Sequence, residues 1–267
     1  MRVETDESGG AVWRIRLGPD EPEGDVVFSE EGFDDLAAAL AAAQRTADCR
    51  MVVLLGQPGT FCRGMNLDAL VADPEHHAHK GTAQYAACLR ALRGSSKVVV
   101  SLVDGVATAG GVGLALAGDW VFATKRSSFG LPEPIVGMVP AMVLPLLLER
   151  MPAQRVRRFV LGGTSVSAEQ AAELGMVDQV VEDEAGLEWA LKSVAKQVLR
   201  LEPTAVARLK RVIGRMASAA WDAAVSDGRQ TTQEMLLEPE RVQNIAAFLR
   251  GEPLPWFERY RRPEGDS

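Results

Sequence analysis

The stretch VDGVATAGGVGLALAGD, Val103–Asp119, decides the fold class of this chain. An apolar run ends in the glycine pair Gly110 and Gly111, and a second apolar run of helical character begins at once. A third glycine, Gly113, lies inside that helix, where glycine is less favourable than alanine by about 1 kcal/mol. A strand, a glycine turn and a helix in direct succession are typical of an α/β fold. Such a turn leaves backbone N–H groups free at the start of the helix.

Free N–H groups at a turn of this kind stabilise negative charge, either on a bound phosphate or on an oxyanion that forms during a reaction. The stretch lacks the G-x-G-x-x-G spacing of dinucleotide sites and the G-K-S/T ending of nucleotide loops. A second strand, glycine turn and helix start, LLGQPGTFCRGMNLDAL at 54–70, lies about 45 residues earlier. One N–H from each turn would make a two-donor oxyanion hole, and tight packing of strand against helix is the alternative explanation of the glycines.

Hydrophobic patterning along the rest of the chain predicts strands that alternate with helices, which indicates an α/β fold with largely parallel pairing. From about residue 186 the pattern is almost entirely helical. We therefore predict a core at 1–195 and a helical C-terminal region at 196–267. Strands are predicted at 11–18, 49–57, 97–105, 119–131 and near 180, and helices at 30–47 and at about 67–73, 82–93, 110–118, 140–150, 153–161 and 168–174.

Composition excludes several classes of protein. The 267 residues are 47% hydrophobic, which is enough for one sizeable core, and no apolar run approaches the length of a membrane span. The net charge of −7 argues against general binding of nucleic acid. The three cysteines, Cys49, Cys62 and Cys88, lack metal-binding spacing and are odd in number. We expect reduced thiols and a cytoplasmic location, with no metal ion and no cofactor.

Four blocks of the sequence resemble the crotonase (enoyl-CoA hydratase/isomerase) superfamily, in order and at the expected spacing over about residues 11–255. This resemblance implies a spiral of β-β-α turns with a helical C-terminal region used in trimer assembly, so we expect a homotrimer or hexamer. It also implies an acyl thioester substrate, whose enolate oxygen is held by the backbone N–H groups of Met65 and Gly110. The blocks are FCRGMNL, KVVVSLVDGVATAGGVGLALAGDW, SSFGLPEPIVGMVPAMVLP and AEQAAELGMVDQVV.

The resemblance also identifies one candidate catalytic carboxylate. Family hydratases carry one glutamate three residues after the oxyanion glycine, where this chain has Gly113, and a second in the context of Glu133. One carboxylate can abstract and deliver a proton, whereas a pair can also hold and split water. The single Glu133 therefore puts ordinary hydration of enoyl-CoA in doubt and leaves isomerisation, elimination or another enolate reaction open.

The bulky turn MVPAMVLPLLLER, at 138–150, resembles the crotonase-type dehydratases of polyketide β-branching cassettes. Those enzymes remove water from 3-hydroxy-3-methylglutaryl groups on an acyl carrier protein, and we expect that reaction here. Asn66 departs from that group, which usually has aspartate at this position, and it can orient a substrate but cannot act as a base. We expect Asn66, Gly111 and Gly113 to contribute to substrate binding.

The carrier is also expected to be a protein. The segment PDEPEGDVVF at 19–28 is acidic where CoA-binding relatives commonly have a basic residue, so a phosphopantetheine arm is favoured over the CoA nucleotide. Carrier proteins are acidic, and a basic patch at Arg155, Arg157 and Arg158 would dock one. The alternatives are an enoyl-CoA hydratase, a Δ3-Δ2 enoyl-CoA isomerase, or a non-catalytic crotonase-fold protein that binds RNA or a protein partner.

All three histidines of the chain, His76, His77 and His79, fall in one segment, ADPEHHAHKGT. A polar surface loop is the expected structure, because no cysteine lies nearby to complete a metal site. The alternative is a loop that closes over a substrate with one histidine entering the site.

Overall fold

The computed structural model describes residues 1–6, 10–21 and 24–256, without the side chains of 215–220. Within these residues the chain forms two sheets surrounded by helices, so the predicted α/β class is confirmed. The end of the predicted C-terminal region, 257–267, lies outside the described residues, as do two positions of the acidic segment, 22–23.

The larger sheet has six strands. At one edge β1 runs antiparallel to β2, and every other neighbouring pair is parallel. Its central strands are buried along their whole length, as expected for parallel strands that are covered on both faces. The sequence did not predict β1, because this edge strand is polar and mostly exposed. The strands, in sheet order, are β1 (Arg2–Asp6), β2 (Val12–Gly18), β3 (Met51–Leu55), β5 (Val98–Val103), β7 (Trp120–Thr124) and β10 (Gln179–Val181).

A smaller sheet holds four short strands, and three of them directly follow strands of the larger sheet. The predicted single strand at 119–131 is therefore wrong: a turn, in which Ser127 N–H donates to Thr124 O over 2.9 Å, leads the chain from one sheet to the other. Successive turns of the spiral also touch closely, because a Cβ on Gly105 (φ 95°) would lie 2.0 Å from Gly59 O. The strands are β4 (Thr60–Cys62), β6 (Val106–Thr108), β8 (Ser128–Gly130) and β9 (Val166–Ser167).

Helices follow most of the predicted positions. The helix predicted from 140 begins only at 144, because the chain first makes a turn after Pro140. A π-helical turn at His77–Gly81 and a 3₁₀ turn at Glu133–Val136 complete the set. The α-helices are α1 (Glu30–Arg45), α2 (Leu67–Ala72), α3 (Pro74–His76), α4 (Thr82–Arg93), α5 (Gly110–Leu116), α6 (Leu144–Arg150), α7 (Ala153–Gly162), α8 (Ala168–Leu174), α9 (Glu184–Val198), α10 (Pro203–Leu236) and α11 (Pro239–Leu249).

The C-terminal helices are packed onto the spiral. Helix α9 continues across the predicted boundary at 195/196 and buries one face against the large sheet. Further along, Trp221 and Val225 of α10 belong to the main hydrophobic core. None of the helices in the described part of the chain is both long and apolar enough to cross a membrane.

Candidate active site

A cavity of about 370 Å³ lies where the two strand–glycine–helix turns meet. Its walls come from the start of α1, the turn after β4, helix α4, the turn before α5, the segment after β8, and helices α10 and α11. Most of the lining is apolar. Met65, Gly110 and Glu133, which are far apart in sequence, all line this one cavity.

The two glycine turns are in direct contact. A Cβ on Gly64 (φ 84°) would lie 3.0 Å from the backbone nitrogen of Gly110. A Cβ on Gly111 would lie 2.1 Å from the carbonyl oxygen of Cys62, closer than any real Cβ contact. Tight packing therefore explains Gly64 and Gly111, and it brings the backbone of both turns to the edge of the cavity.

The peptide before Gly110 is held in an unusual conformation. Ala109 has φ 51° and ψ −127°, the only positive φ of a non-glycine residue in the described part of the chain. Its N–H donates to Gly130 O over 2.9 Å, which ties the turn to β8. Neither Gly110 N–H nor Met65 N–H donates to a turn, loop or cap acceptor among the described residues. Because both residues line the cavity, their N–H groups are candidates for binding a ligand there.

Glu133 begins the 3₁₀ turn after β8, between Pro132 and Pro134, which restrict the backbone on either side. Its Oε2 atom is buried and has no hydrogen-bond partner among the described residues. Burial penalises the charged form and raises the pKa of the Glu133 carboxyl to about 7. A carboxyl with this pKa can both take and return a proton near neutral pH.

The raised pKa of Glu133 predicts a pH dependence. Proton abstraction needs the ionised carboxylate, so kcat/KM should rise with pH through about 7 and then level off. Steady-state rates between pH 5.5 and 8.5 measure this. Glu75→Gln, at an exposed position outside the cavity lining, should keep the same profile. A profile that is flat over this range would contradict the assignment of Glu133.

Tyr85, on α4, lines the cavity, although the sequence did not single it out. Its side chain is 4% exposed, and its hydroxyl donates to Gly110 O over 2.7 Å. A Cβ on Gly113 would lie only 2.0 Å from that hydroxyl oxygen. The Tyr85 hydroxyl fills the space that a side chain at position 113 would need, which explains the glycine at this position. A tyrosine in an amphipathic helix is typical of a core position, so the sequence offered no signal for this arrangement.

The three residues expected to assist substrate binding have different surroundings. Asn66 lines the cavity, but its Oδ1 accepts the Ala69 N–H over 3.1 Å and caps α2. Gly111 and Gly113 are buried and are not part of the cavity lining. These two glycines lie behind the cavity wall, and Asn66 keeps its amide nitrogen and one acceptor position of Oδ1 for a ligand.

The histidine segment is helical and not the surface loop that we expected. It forms α3 and the following π-helical turn, a feature frequent at functional sites. His76 and His77 line the cavity, and His76 Nε2 lies 3.1 Å from a carboxylate oxygen of Glu30. His79 lies outside the lining and hydrogen-bonds to Gln233 of α10 over 2.6 Å. The segment thus joins the cavity wall to the C-terminal helices.

Comparison with known proteins identifies the class. The sequence model described as enoyl-CoA hydratase/isomerase matches residues 7–259, so the chain belongs to that family. The fold agrees: an enoyl-CoA hydratase structure from Mycobacterium avium paratuberculosis superimposes with a TM-score of 0.85 at 28% identity, covering 97% of this chain and all of that one. The crotonase-type spiral expected from the sequence is confirmed, and the chain is an enzyme of this family.

Relatives within the family support the expected resemblance to polyketide dehydratases. The bacillaene synthase dehydratase PksH of Bacillus subtilis is 27% identical over 218 residues, which are 79% of this chain and 81% of that protein. A PksH crystal structure superimposes with a TM-score of 0.84 at 22% identity, covering 96% and 99% of the two chains. The 2,3-dehydroadipyl-CoA hydratase of Escherichia coli is comparably similar, at 28% identity over 80% of this chain and 84% of its own length. Similarity of this degree supports hydratase or dehydratase activity of the hydro-lyase type, or isomerase activity.

Proposed function

We propose that this enzyme removes water from a 3-hydroxyacyl thioester, and that the acyl group is 3-hydroxy-3-methylglutaryl on an acyl carrier protein. The product would be the 3-methylglutaconyl thioester. One observation carries the proposal: of the two carboxylates that line the cavity at the glycine turns, Glu30 is paired with His76 and Lys80, whereas Glu133 has a buried oxygen without a partner among the described residues, and Tyr85 fills the space at Gly113.

The proposed mechanism uses Glu133 twice. The thioester oxygen accepts hydrogen bonds from Met65 N–H and Gly110 N–H, which stabilise the enolate as it forms. Ionised Glu133 removes the proton at C2, and the electron pair passes into the enolate. As the enolate collapses, the C2–C3 double bond forms, the C3–O bond breaks, and Glu133 returns the proton to the departing hydroxyl. Water leaves and the carboxylate is regenerated, so no metal or cofactor takes part in the proposed reaction.

A single carboxylate limits which substrates can react. Hydration and dehydration pass through the same transition state. Whether one carboxylate is sufficient therefore depends on the acyl group and not on the direction of the reaction. A hydroxyl on a tertiary carbon leaves with less assistance, because two alkyl substituents at C3 stabilise the alkene that forms. An unbranched 3-hydroxyacyl thioester lacks this help, so its interconversion with the enoyl thioester needs stronger assistance to the C3–O bond.

Crotonyl-CoA should therefore be a poor substrate for hydration. We expect kcat/KM well below the range of about 10⁴–10⁸ M⁻¹s⁻¹ that is typical of enzymes. Loss of absorbance of the conjugated thioester measures hydration, and formation of the same chromophore from 3-hydroxy-3-methylglutaryl thioester measures dehydration. Efficient hydration of crotonyl-CoA together with no dehydration of the branched substrate would exclude the proposal.

A second candidate, Δ3-Δ2 enoyl-CoA isomerase, is favoured by one observation. Part of the cavity wall is apolar, formed by side chains of a hydrophobic cluster that joins α2 and the 3₁₀ turn to the C-terminal helices, whereas a glutaryl group ends in a carboxylate. Arg63, the arginine of the cavity lining, is already paired with Asp25 over 2.7 Å. Turnover of a 3-enoyl-CoA with an alkyl chain, and none of either glutaryl thioester, would favour the isomerase. Absence of α-deuterium exchange with any acyl thioester would instead favour the non-catalytic alternative.

The proposal that the acyl group is carried by a protein can be tested at the basic patch of α7. Its residues Arg155, Arg157 and Arg158 are all exposed. Charge reversal at Arg157 should raise KM for the carrier-bound substrate by roughly 5- to 10-fold, because complementary charge accelerates docking, and should leave KM for the CoA thioester unchanged. Arg45→Glu, an exposed site at the end of α1, is the matched control. An equal change on both substrates, or none on either, would show that the carrier does not dock at this patch.

We also propose that the enzyme acts in the cytoplasm as a homotrimer, or as a hexamer of two trimers, assembled through the helical C-terminal region. Exposed apolar side chains near the end of α9 and on α10 support this assembly. Light scattering that gave the mass of a monomer would contradict it. The side chains are Leu199, Leu201, Leu209, Val212 and Ile213.

A further inference from the structure

The hydroxyl of Tyr85 is fixed where a second polar group of the reaction would be needed. It belongs to α4, yet it reaches across to α5, donates to Gly110 O over 2.7 Å and occupies the volume beside Gly113. The aromatic rings of Phe28 and Phe33 pack against it, with centroids 5.1 Å and 6.1 Å away. Tyr85 also lines the same cavity as Glu133, and its contacts with Phe28 and Phe33 fix the position of its ring.

The hydrogen-bonding state of Tyr85 determines what it can offer. A phenol carries one proton and two acceptor positions, and the proton is used by the Gly110 carbonyl. Burial raises the pKa of Tyr85 well above its ordinary range, and the proximity of Cys62 and Glu133 adds to the shift. Tyr85 is therefore neutral at every pH at which the enzyme works. The phenol oxygen keeps its capacity to accept a hydrogen bond from a hydroxyl group.

We propose that Tyr85 replaces the missing second carboxylate and holds the 3-hydroxyl of the substrate, by accepting its hydrogen bond, in line for protonation by Glu133. This inference rests on the proposed dehydratase function and adds a residue to it. A neutral acceptor orients a hydroxyl that is already attached to C3. It does not activate free water as a second carboxylate does, which agrees with the expected preference for a branched 3-hydroxy substrate.

The test compares two reactions of Tyr85→Phe. Dehydration of 3-hydroxy-3-methylglutaryl-pantetheine requires the 3-hydroxyl to be held, whereas exchange of the C2 proton of 3-methylglutaryl-pantetheine in D₂O requires only Glu133 and the oxyanion donors. We expect kcat for dehydration to fall by roughly 10- to 100-fold, the size of effect of one hydrogen bond at a reacting group. The exchange rate should remain within about twofold of wild type, because a phenylalanine ring keeps the packing with Phe28 and Phe33.

Each other result has a definite meaning. Equal losses in both reactions would show that Tyr85 acts only through the Gly110 backbone, and full dehydration activity would show that it has no role, so either overturns the inference. Wild-type enzyme that exchanges the C2 proton but does not dehydrate the 3-hydroxy substrate would reject the proposed function itself, whatever Tyr85→Phe does.

A second measurement tests the placement of the hydroxyl without using activity. Gly113→Ala puts a Cβ 2.0 Å from the Tyr85 hydroxyl oxygen but 3.2 Å from the ring carbon that bears it. We expect Gly113→Ala to lower Tm by about 5 °C in the wild-type background and by much less in Tyr85→Phe. Equal losses of Tm in the two backgrounds would show that the hydroxyl does not occupy this space.

Discussion

Replacement of Glu133 by glutamine should lower the single-turnover rate of dehydration by roughly 10²–10⁴, the usual contribution of a general acid–base group. Glutamine keeps the size of the side chain but cannot take up the C2 proton. Substrate binding should change little, because the backbone N–H groups of Met65 and Gly110 remain. Met65→Ala should lower the rate only slightly, because the donor at this position is the backbone N–H and not the side chain. Single-turnover measurements at saturating substrate separate the chemical step from binding.

The exposed residue Glu75 supplies the control, since Glu75→Gln removes a carboxylate from the neighbouring α3 without touching the cavity. A Glu133→Gln rate within a few-fold of wild type would place the acid–base group elsewhere. His76 and His77, which also line the cavity, would then be the next residues to replace.

Stability measurements on Glu133→Gln give an independent check of the buried carboxyl. The folded-state pKa of Glu133, about 7, exceeds its ordinary value of 4.5, so wild-type stability is lost as pH rises between these values. Glutamine does not titrate. Relative to wild type, the free energy of unfolding of the variant should therefore increase between pH 4.5 and 7, by up to about 3 kcal/mol. This result would also show that the variant is folded.

Gly111→Ala should have the second large effect. The added Cβ would lie 2.1 Å from Cys62 O and 2.7 Å from Cys62 C, and these backbone atoms can move only if the two turns separate. We expect the free energy of unfolding to fall by about 3 kcal/mol. The dehydration rate should fall by roughly 10²–10³, as when one oxyanion donor is displaced.

A matched glycine in the same chain serves as the control for Gly111→Ala. Gly214 lies within α10, and a Cβ there would meet no atom within 4 Å. Gly214→Ala should therefore stabilise the enzyme slightly, by up to about 1 kcal/mol, without changing its rate. Normal stability and activity of Gly111→Ala would contradict the close contact between the turns.

Local patterns in the sequence determined most of the secondary structure. Apolar runs predicted β3 and β5, and helical periodicity predicted α4, α7 and α8 to within a residue or two. Edge elements were missed where burial is slight: β1 is polar and exposed, and β9 has only two residues. Patterns of this kind indicate which side chains are buried. They therefore cannot predict an element whose side chains are mostly exposed or that has very few residues.

The sequence by itself determined the fold class and the two glycine turns, because each is encoded by neighbouring residues, and its resemblance to the crotonase family identified the candidate carboxylate Glu133. Only the tertiary structure decided why residue 113 is a glycine. The answer is the hydroxyl of Tyr85, 28 positions earlier on another helix, which fills the space that a side chain at 113 would need. Parallel register brings strand ends that are distant in sequence to one edge of the sheet, and close packing there fixes which side chain takes each volume. Neither the parallel register nor the close packing can be recognised from the residues that neighbour Tyr85 in the sequence.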